Sequence, residues 1–139
     1  METVIYEGIP DCAREIRRQV FMDEQGFRDE FDEIDDMAVH MVMLDGGKEP
    51  VATCRVFWDK DTKSYVLGRL AVVKGYRGQN IGSAMVEEAQ RYVRKKGGEC
   101  IVLHAQCRAA SFYRKEGFTE FGESDEDEGC PHIWMRKYL

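Results

Sequence analysis

The residues best placed to do chemistry lie in Leu70-Ala71-Val72-Val73-Lys74-Gly75-Tyr76-Arg77-Gly78-Gln79-Asn80-Ile81-Gly82. An apolar, β-forming run passes through a turn of small and polar residues into an amphipathic helical pattern. At such a junction the first N–H groups of the helix lack intrahelical acceptors, and the macrodipole favours negative charge. A pyrophosphate suits that place. Gly78 and Gly82 let the backbone approach a ligand, and Arg77 adds a fixed positive charge. By itself the spacing also fits an ordinary strand–turn–helix corner. A second cluster therefore matters: Gln106-Cys107-Arg108-Ala109-Ala110-Ser111-Phe112-Tyr113-Arg114-Lys115-Glu116-Gly117-Phe118, one helix and one strand further on.

The elements that must position these residues follow from periodicity. Thr3 to Tyr6 reads as a short strand, and Pro10-Asp11 opens a helix whose Ala13, Ile16 and Val20 share a face, with Gly26 as its stop. Phe27 to Asp36 reads as an acidic, irregular or short-helical loop. Ala38 to Leu44 and Val51 to Trp58 are strands about an Asp45-Gly46-Gly47 turn, and Tyr65 to Val73 leads into the glycine turn. The helix from Ile81 to Lys96 carries an Ile81, Met85, Ala89, Tyr92 and Val93 stripe, with Glu87 and Arg91 spaced as an i,i+4 pair. Gly97-Gly98 ends it. Cys100 to Ala105 is a strand, Arg108 to Glu116 a short helix, and Phe118 to Phe121 and Ile133 to Tyr138 are closing strands around an acidic loop. The order β-α-β-β-β-α-β-α-β-β predicts an α/β fold, a mixed sheet flanked by helices. The glycine turn falls at a strand's C-terminal end, where open α/β sheets hold ligands.

Length and composition bound the rest. A chain of 139 residues with 43% hydrophobic and 33% charged residues predicts one domain over 1–139 with a single core. No basic, apolar leader or membrane-length run is present, which points to the cytoplasm. A net charge of −6 argues against nucleic-acid binding. Five cysteines without a CxxC pair read as reduced thiols, and His104, Cys107, Cys130 and His132 match no compact zinc pattern, so no metal is expected. Eight acids fall between Asp23 and Asp36 and six between Glu120 and Glu128. They read as solvated loops, or as a negative rim that gathers a cationic substrate.

Together, Arg77-Gly78-Gln79-Asn80-Ile81-Gly82 and Ala109-Ala110-Ser111-Phe112-Tyr113 through Gly117-Phe118 resemble the GCN5-related N-acetyltransferase (GNAT) superfamily. The element order matches too, so the likeness covers Val4 to Lys137. It implies the GNAT-like, mostly antiparallel sheet. Arg18-Gln19-Val20-Phe21-Met22-Asp23-Glu24-Gln25, Asp35-Asp36-Met37-Ala38-Val39-His40 and Gly129-Cys130-Pro131-His132-Ile133-Trp134-Met135 are similar to signatures of its small bacterial ElaA-type branch. Asn80 stands where the family turn usually has glycine, and Asn is the residue that most readily follows glycine into positive φ. Gln106 stands where many relatives carry Asn, and it keeps the amide.

The resemblance implies acetyl-CoA as acyl donor, with the cofactor held by Leu70, Ala71, Val72, Arg77, Gly78, Gln79, Asn80, Ile81, Gly82, Ser83, Gln106, Ala110, Phe112 and Tyr113. Backbone groups near Leu70 and Val72 would pair with pantetheine, and one N–H would face the acetyl carbonyl. The acceptor implied is a primary amine, more in keeping with a small molecule than a protein, since no recognition module accompanies the domain. Homodimers are common in the superfamily. Tyr113 is expected as general acid: a phenol of pKa about 10 stays protonated at neutral pH and can donate toward a thiolate of pKa about 8.5. Base candidates are Glu24, Asp35, Asp36, His40, His104 and His132, with His132 and Glu24 preferred on the acceptor side. Two other readings stand beside this one: a non-catalytic acyl-CoA sensor or interaction module, and an acyl-enzyme on Cys107, which lacks an evident thiolate partner beyond Arg108.

Overall fold

The N-terminal strand β1 (Glu2–Glu7) lies antiparallel to β2 (Val39–Leu44), running from Glu2 opposite Leu44 to Glu7 opposite Val39. β2 in turn lies antiparallel to β3 (Pro50–Asp59), with a register shift between Met43 and Leu44. These strands, in a computed structural model that describes Met1 to Leu139, begin a seven-stranded sheet of order β1-β2-β3-β4-β5-β7-β6. β4 is Ser64–Val72, β5 Cys100–Gln106, β6 Thr119–Asp127 and β7 Cys130–Tyr138. The helices are α1 (Asp11–Arg17), α2 (Ile34–Met37), α3 (Ile81–Lys95) and α4 (Ala110–Lys115).

The chain divides into two compact units, Met1–Phe57 with Leu67–Ala89, and Trp58–Val66 with Gln90–Leu139. In the first, Met41, Val42, Val51, Ala52 and Val56 are buried together with His40, Thr53 and Arg55, so the middle strands are covered on both faces. α1 does not stop at its C-terminus; it continues as a π-helical stretch over Arg18–Glu24 before Gly26 turns the chain at φ 80°. The widened turns put Ile16, Val20 and Phe21 on Ala71 of β4.

In the second unit β5 pairs antiparallel with β7, Cys100 opposite Tyr138 through Gln106 opposite His132. The parallel ladder from β4 covers only Tyr65 with Ile101 and Val66 with Val102. Ile101, Leu103, Ala105, Met135, Phe118 and Val93 form its core. The acidic segment expected as a loop is instead mostly β6, antiparallel to β7 with a register shift between Phe121 and Asp125. A two-residue turn, Glu128 at φ 51° and Gly129 at φ 78°, closes that hairpin. Positive φ at both positions matches the twist of flanking strands, which lets strand pairing persist through the charged stretch. The expected second helix is likewise split, a 3-10 turn over Cys107–Ala109 preceding α4.

Candidate functional site

The glycine turn is anchored from below. β4 ends at Val72, the Val73 N–H donates to the Val51 carbonyl at 2.9 Å, and a 3-10 turn follows over Lys74–Tyr76. The Tyr76 hydroxyl donates to Asp45 Oδ2 at 2.7 Å, and this bond to the carboxylate pushes the phenol's pKa up. Asp45 also accepts the Gly47 and Glu49 N–H groups through Oδ1, both at 2.9 Å, so the β2–β3 hairpin and the turn share one carboxylate.

Past that anchor Gly78 adopts φ 82° and Asn80 φ 61°. A Cβ added at Gly78 would meet nothing within 4 Å, so the backbone there is open to a ligand. The α3 ladder begins with the Ala84 N–H on the Asn80 carbonyl at 3.1 Å, which leaves the preceding N–H groups outside it. Gln79 is exposed, Gly82 and Ser83 half-buried, and Ile81 fixes the helix into the core. An exposed turn ending in a helix N-terminus fits a pyrophosphate. Arg77 is held bidentate by Glu24, at 2.8 and 3.0 Å, and its Nε donates to the Val72 carbonyl at 3.1 Å. The structure thus brings Glu24 to Arg77 and the turn.

Leu70 and Ala71 follow an irregularity that sequence reasoning missed: Arg69, inside β4, sits at φ 52°. A non-glycine residue in the left-handed region of a strand marks a bulge and stores strain. Its guanidinium is tied down, Nε lying 3.0 Å from Glu30 Oε1 and Nη2 3.5 Å from Asp32 Oδ2. Behind it Arg17 binds Glu30 at 2.9 Å and Asp35 at 2.8 Å, and Arg55 binds Asp35 at 2.9 Å and Asp32 at 2.7 Å. Burial pushes Asp35 up, but the Arg17 and Arg55 bonds outweigh it and leave the carboxyl at about 2. For Glu30 burial wins and its pKa is raised. His40 donates from Nε2 to the Asp35 carbonyl at 3.0 Å, leaving buried Nδ1 without a partner, and burial lowers its pKa. The first acidic run is therefore solvated only in part: Glu30 and Asp35 are each 4% exposed and internally paired, whereas Asp23, Glu24, Asp29, Glu33 and Asp36 are exposed. Long-range ion pairs leave no periodic trace in a sequence.

The second unit holds the other expected residues. Tyr113 lies edge-on to Phe112 at 5.0 Å and to Phe118 at 5.8 Å, and its carbonyl accepts the Phe118 N–H at 3.0 Å. Ala110, the first residue of the same helix, is buried, and Gln106 Oε1 accepts from Arg108 Nε at 2.6 Å. His132, 6% exposed, lies opposite Gln106 in the β5–β7 register. It stacks on His104 at 4.7 Å, and His104 stacks in turn on Trp134 at 4.6 Å. His132 Nδ1 donates to the Cys130 carbonyl at 2.8 Å, and His104 Nε2 lies 2.6 Å from Asp125 Oδ1. Asp125 was hidden within an acidic run whose strand pairing could not be read. No group of three or more His, Cys, Asp or Glu residues is arranged to hold a metal ion.

Comparison with known proteins agrees with this geometry. The family model for the acetyltransferase (GNAT) domain matches residues 6–139. A Bacillus subtilis protein named an acetyltransferase is 36% identical over 129 residues, covering 90% of this chain and 86% of that protein. The crystal structure of Escherichia coli ElaA superposes with a TM-score of 0.83 at 24% identity, covering 98% of each chain. That of an aminoglycoside 6'-N-acetyltransferase complexed with coenzyme A superposes at 0.79 and 18% identity, covering 99% of this chain and 97% of that one.

Proposed function

Because the chain belongs to the GNAT acetyltransferase family, we propose that it moves an acetyl group onto the primary amine of a small molecule by direct attack. Acetyl-CoA is the donor, and when bound it supplies a thioester activated toward amines. The observation that carries this reading is the turn from Arg77 to Gly82, open at Gly78 and left-handed at Asn80, which delivers a helix N-terminus at the end of β4. Gly78, Gln79, Asn80, Ile81, Gly82 and Ser83 would hold the pyrophosphate through backbone N–H groups, with Arg77 beside them. Glu24 keeps Arg77 in place by their bidentate pair, so its part lies at the cofactor.

β4 beyond Val66 has no ladder to β5, so backbone groups of Leu70, Ala71 and Val72 are the candidates for pantetheine. A fixed N–H facing the acetyl carbonyl would stabilise developing oxyanion charge by about 3 kcal/mol. Tyr113, caged by Phe112 and Phe118, is the general acid to the leaving thiolate, and Gln106, Ala110 and Phe112 would contact the cofactor. His132 serves the acceptor side. No helix is long and apolar enough to cross a membrane, in keeping with a cytoplasmic site of action.

Calorimetry of acetyl-CoA with the wild type and with Gly82→Trp tests the reading. Micromolar binding lost in a folded Gly82→Trp variant supports it, and thiol release with amines then separates an enzyme from a mere acyl-CoA binder. Absence of binding by the wild type sinks it.

A further inference from the structure

Beside the His104–Trp134 stack, a cavity of about 650 Å³ opens on one face of β5, β7 and β6. Its walls include Val102, Phe121, Trp134, Arg136 and Tyr138. The alternation along β5 explains why they converge: Ile101, Leu103 and Ala105 point to the core, so Cys100, Val102 and His104 share the opposite face. Trp134 both lines the cavity and stacks on His104, so the cavity and the histidine stack meet at its ring. Such a volume suits a small ligand, and three aromatic rings, Phe121, Trp134 and Tyr138, share its lining with the polar Asp59, Thr62, Lys63, Ser64 and Arg136.

Charge gives the surface a direction. Asp125 stands opposite His132, Phe121 opposite Trp134, and Thr119 opposite Arg136. The carboxylate therefore marks the histidine end of β7. The guanidinium, 4.7 Å from the Phe121 ring and 5.7 Å from that of Tyr138, marks the other. A cationic amine with a flat apolar body would lie with its ammonium toward Asp125 and its ring on Trp134 and Phe121. The His104 tautomer agrees. In the tautomer that gives Nε2–H to Asp125, Nδ1 carries the lone pair. The neighbouring His132 imidazole, tied to the Cys130 carbonyl, holds the ring plane by stacking.

We propose that this face is the acceptor site, that its occupant is an aromatic primary amine, and that His104, oriented by Asp125, takes the amine's proton. This inference rests on the acetyltransferase reading above. The ammonium gives one proton to His104 Nδ1, which returns it to solvent. The nitrogen lone pair then forms the C–N bond to the acetyl carbon as the C–S bond breaks, its electrons leaving on sulfur. Tyr113 protonates that sulfur and is restored by the second proton of the nitrogen. One amide, one thiol and one free proton result. His132 is a positioning residue in this scheme.

Calorimetry on the coenzyme A-saturated chain should find 2-phenylethylamine bound about tenfold or more tighter than n-butylamine, the value of a buried ring on aromatic walls. Trp134→Leu and, separately, Phe121→Val should erase that preference while acetyl-CoA affinity stays unchanged, which also reports that the variants fold. His104→Gln and Asp125→Asn should each lower kcat for 2-phenylethylamine by about 100-fold with KM little altered. Equal affinities for the two amines overturn the proposal, as does a preference that survives both wall substitutions, or full kcat in His104→Gln. Failure of acetyl-CoA itself to bind would instead overturn the reading beneath it.

Discussion

Asp35 accepts hydrogen bonds from Arg17 at 2.8 and 3.2 Å, from Arg55 at 2.9 Å and from the Asp32 N–H at 3.2 Å. Four donors around one buried carboxylate explain why its pKa falls to about 2 despite burial. Removing the charge leaves Arg17 with Glu30 and Arg55 with Asp32 as their remaining acidic partners in a dry place, so Asp35→Asn should cost about 3 kcal/mol in urea unfolding, the range for breaking a buried pair from one side. The same carboxyl sets an acid limit. Its folded pKa lies below the ordinary 3.8, so it contributes stability above about pH 4 that is lost as pH falls through about 2. Asp32, where the Arg55 pair outweighs burial, adds to that slope. Glu30, shifted the other way, opposes it. Wild-type stability measured between about pH 5 and pH 2 should therefore fall, and Asp35→Asn should fall less steeply over the same range.

At the scale of elements, turns and helix ends decide where chemistry can occur. Asn80 holds φ 61° just before α3, a conformation costing an ordinary residue about 1–2 kcal/mol. Asn80→Gly should leave thermal stability and acetyl-CoA affinity within about twofold of wild type. Asn80→Val should lose about 1–2 kcal/mol of stability and weaken acetyl-CoA binding, because a β-branched residue resists that φ. Gly98 answers a different demand. A Cβ there would run into Val93 Cγ1 and lie 2.7 Å from Tyr65 Cδ2, where the chain leaves α3 for β5. Gly98→Ala should destabilise by about 1–3 kcal/mol in thermal melts through overpacking, whereas Gly75→Ala, with open space around it, should be silent. Such elements were legible to different degrees. The Ile81 to Val93 stripe marked α3 to within one residue of its observed end at Lys95, since a long apolar face states its own period. Of β6 only the start was legible, in the strand Phe118 to Phe121; its acidic remainder was not, because a charged stretch whose residues are nearly all exposed shows no alternation.

For the whole molecule the question is where its charge resides. The net −6 does not mean two equal acidic rims, because the guanidinium groups of Arg17, Arg55 and Arg69 neutralise the buried part of the first acidic run from within. Types and counts showed the excess of acid; partners did not follow from them, since each pair spans more than ten positions in sequence. Part of the field that reaches solvent comes from β6, where Glu123, Asp125, Glu126 and Asp127 are exposed beside the histidine end of β7. A cationic acceptor should feel that field at long range and lose it to screening, as the Debye length shrinks from about 30 Å at about 0.01 M salt to about 8 Å at about 0.15 M. Across that interval kcat/KM for a cationic amine should fall about three- to tenfold while kcat holds, the mark of encounter rather than chemistry. Neutralising Glu123, Glu126 and Asp127 together, as Gln, Gln and Asn, should flatten the dependence without touching Asp125. Since all three side chains face solvent, the fold should tolerate the change. An unaltered slope in that triple variant would show that the acidic strand guards an exposed sheet edge against self-association and plays no part in gathering substrate.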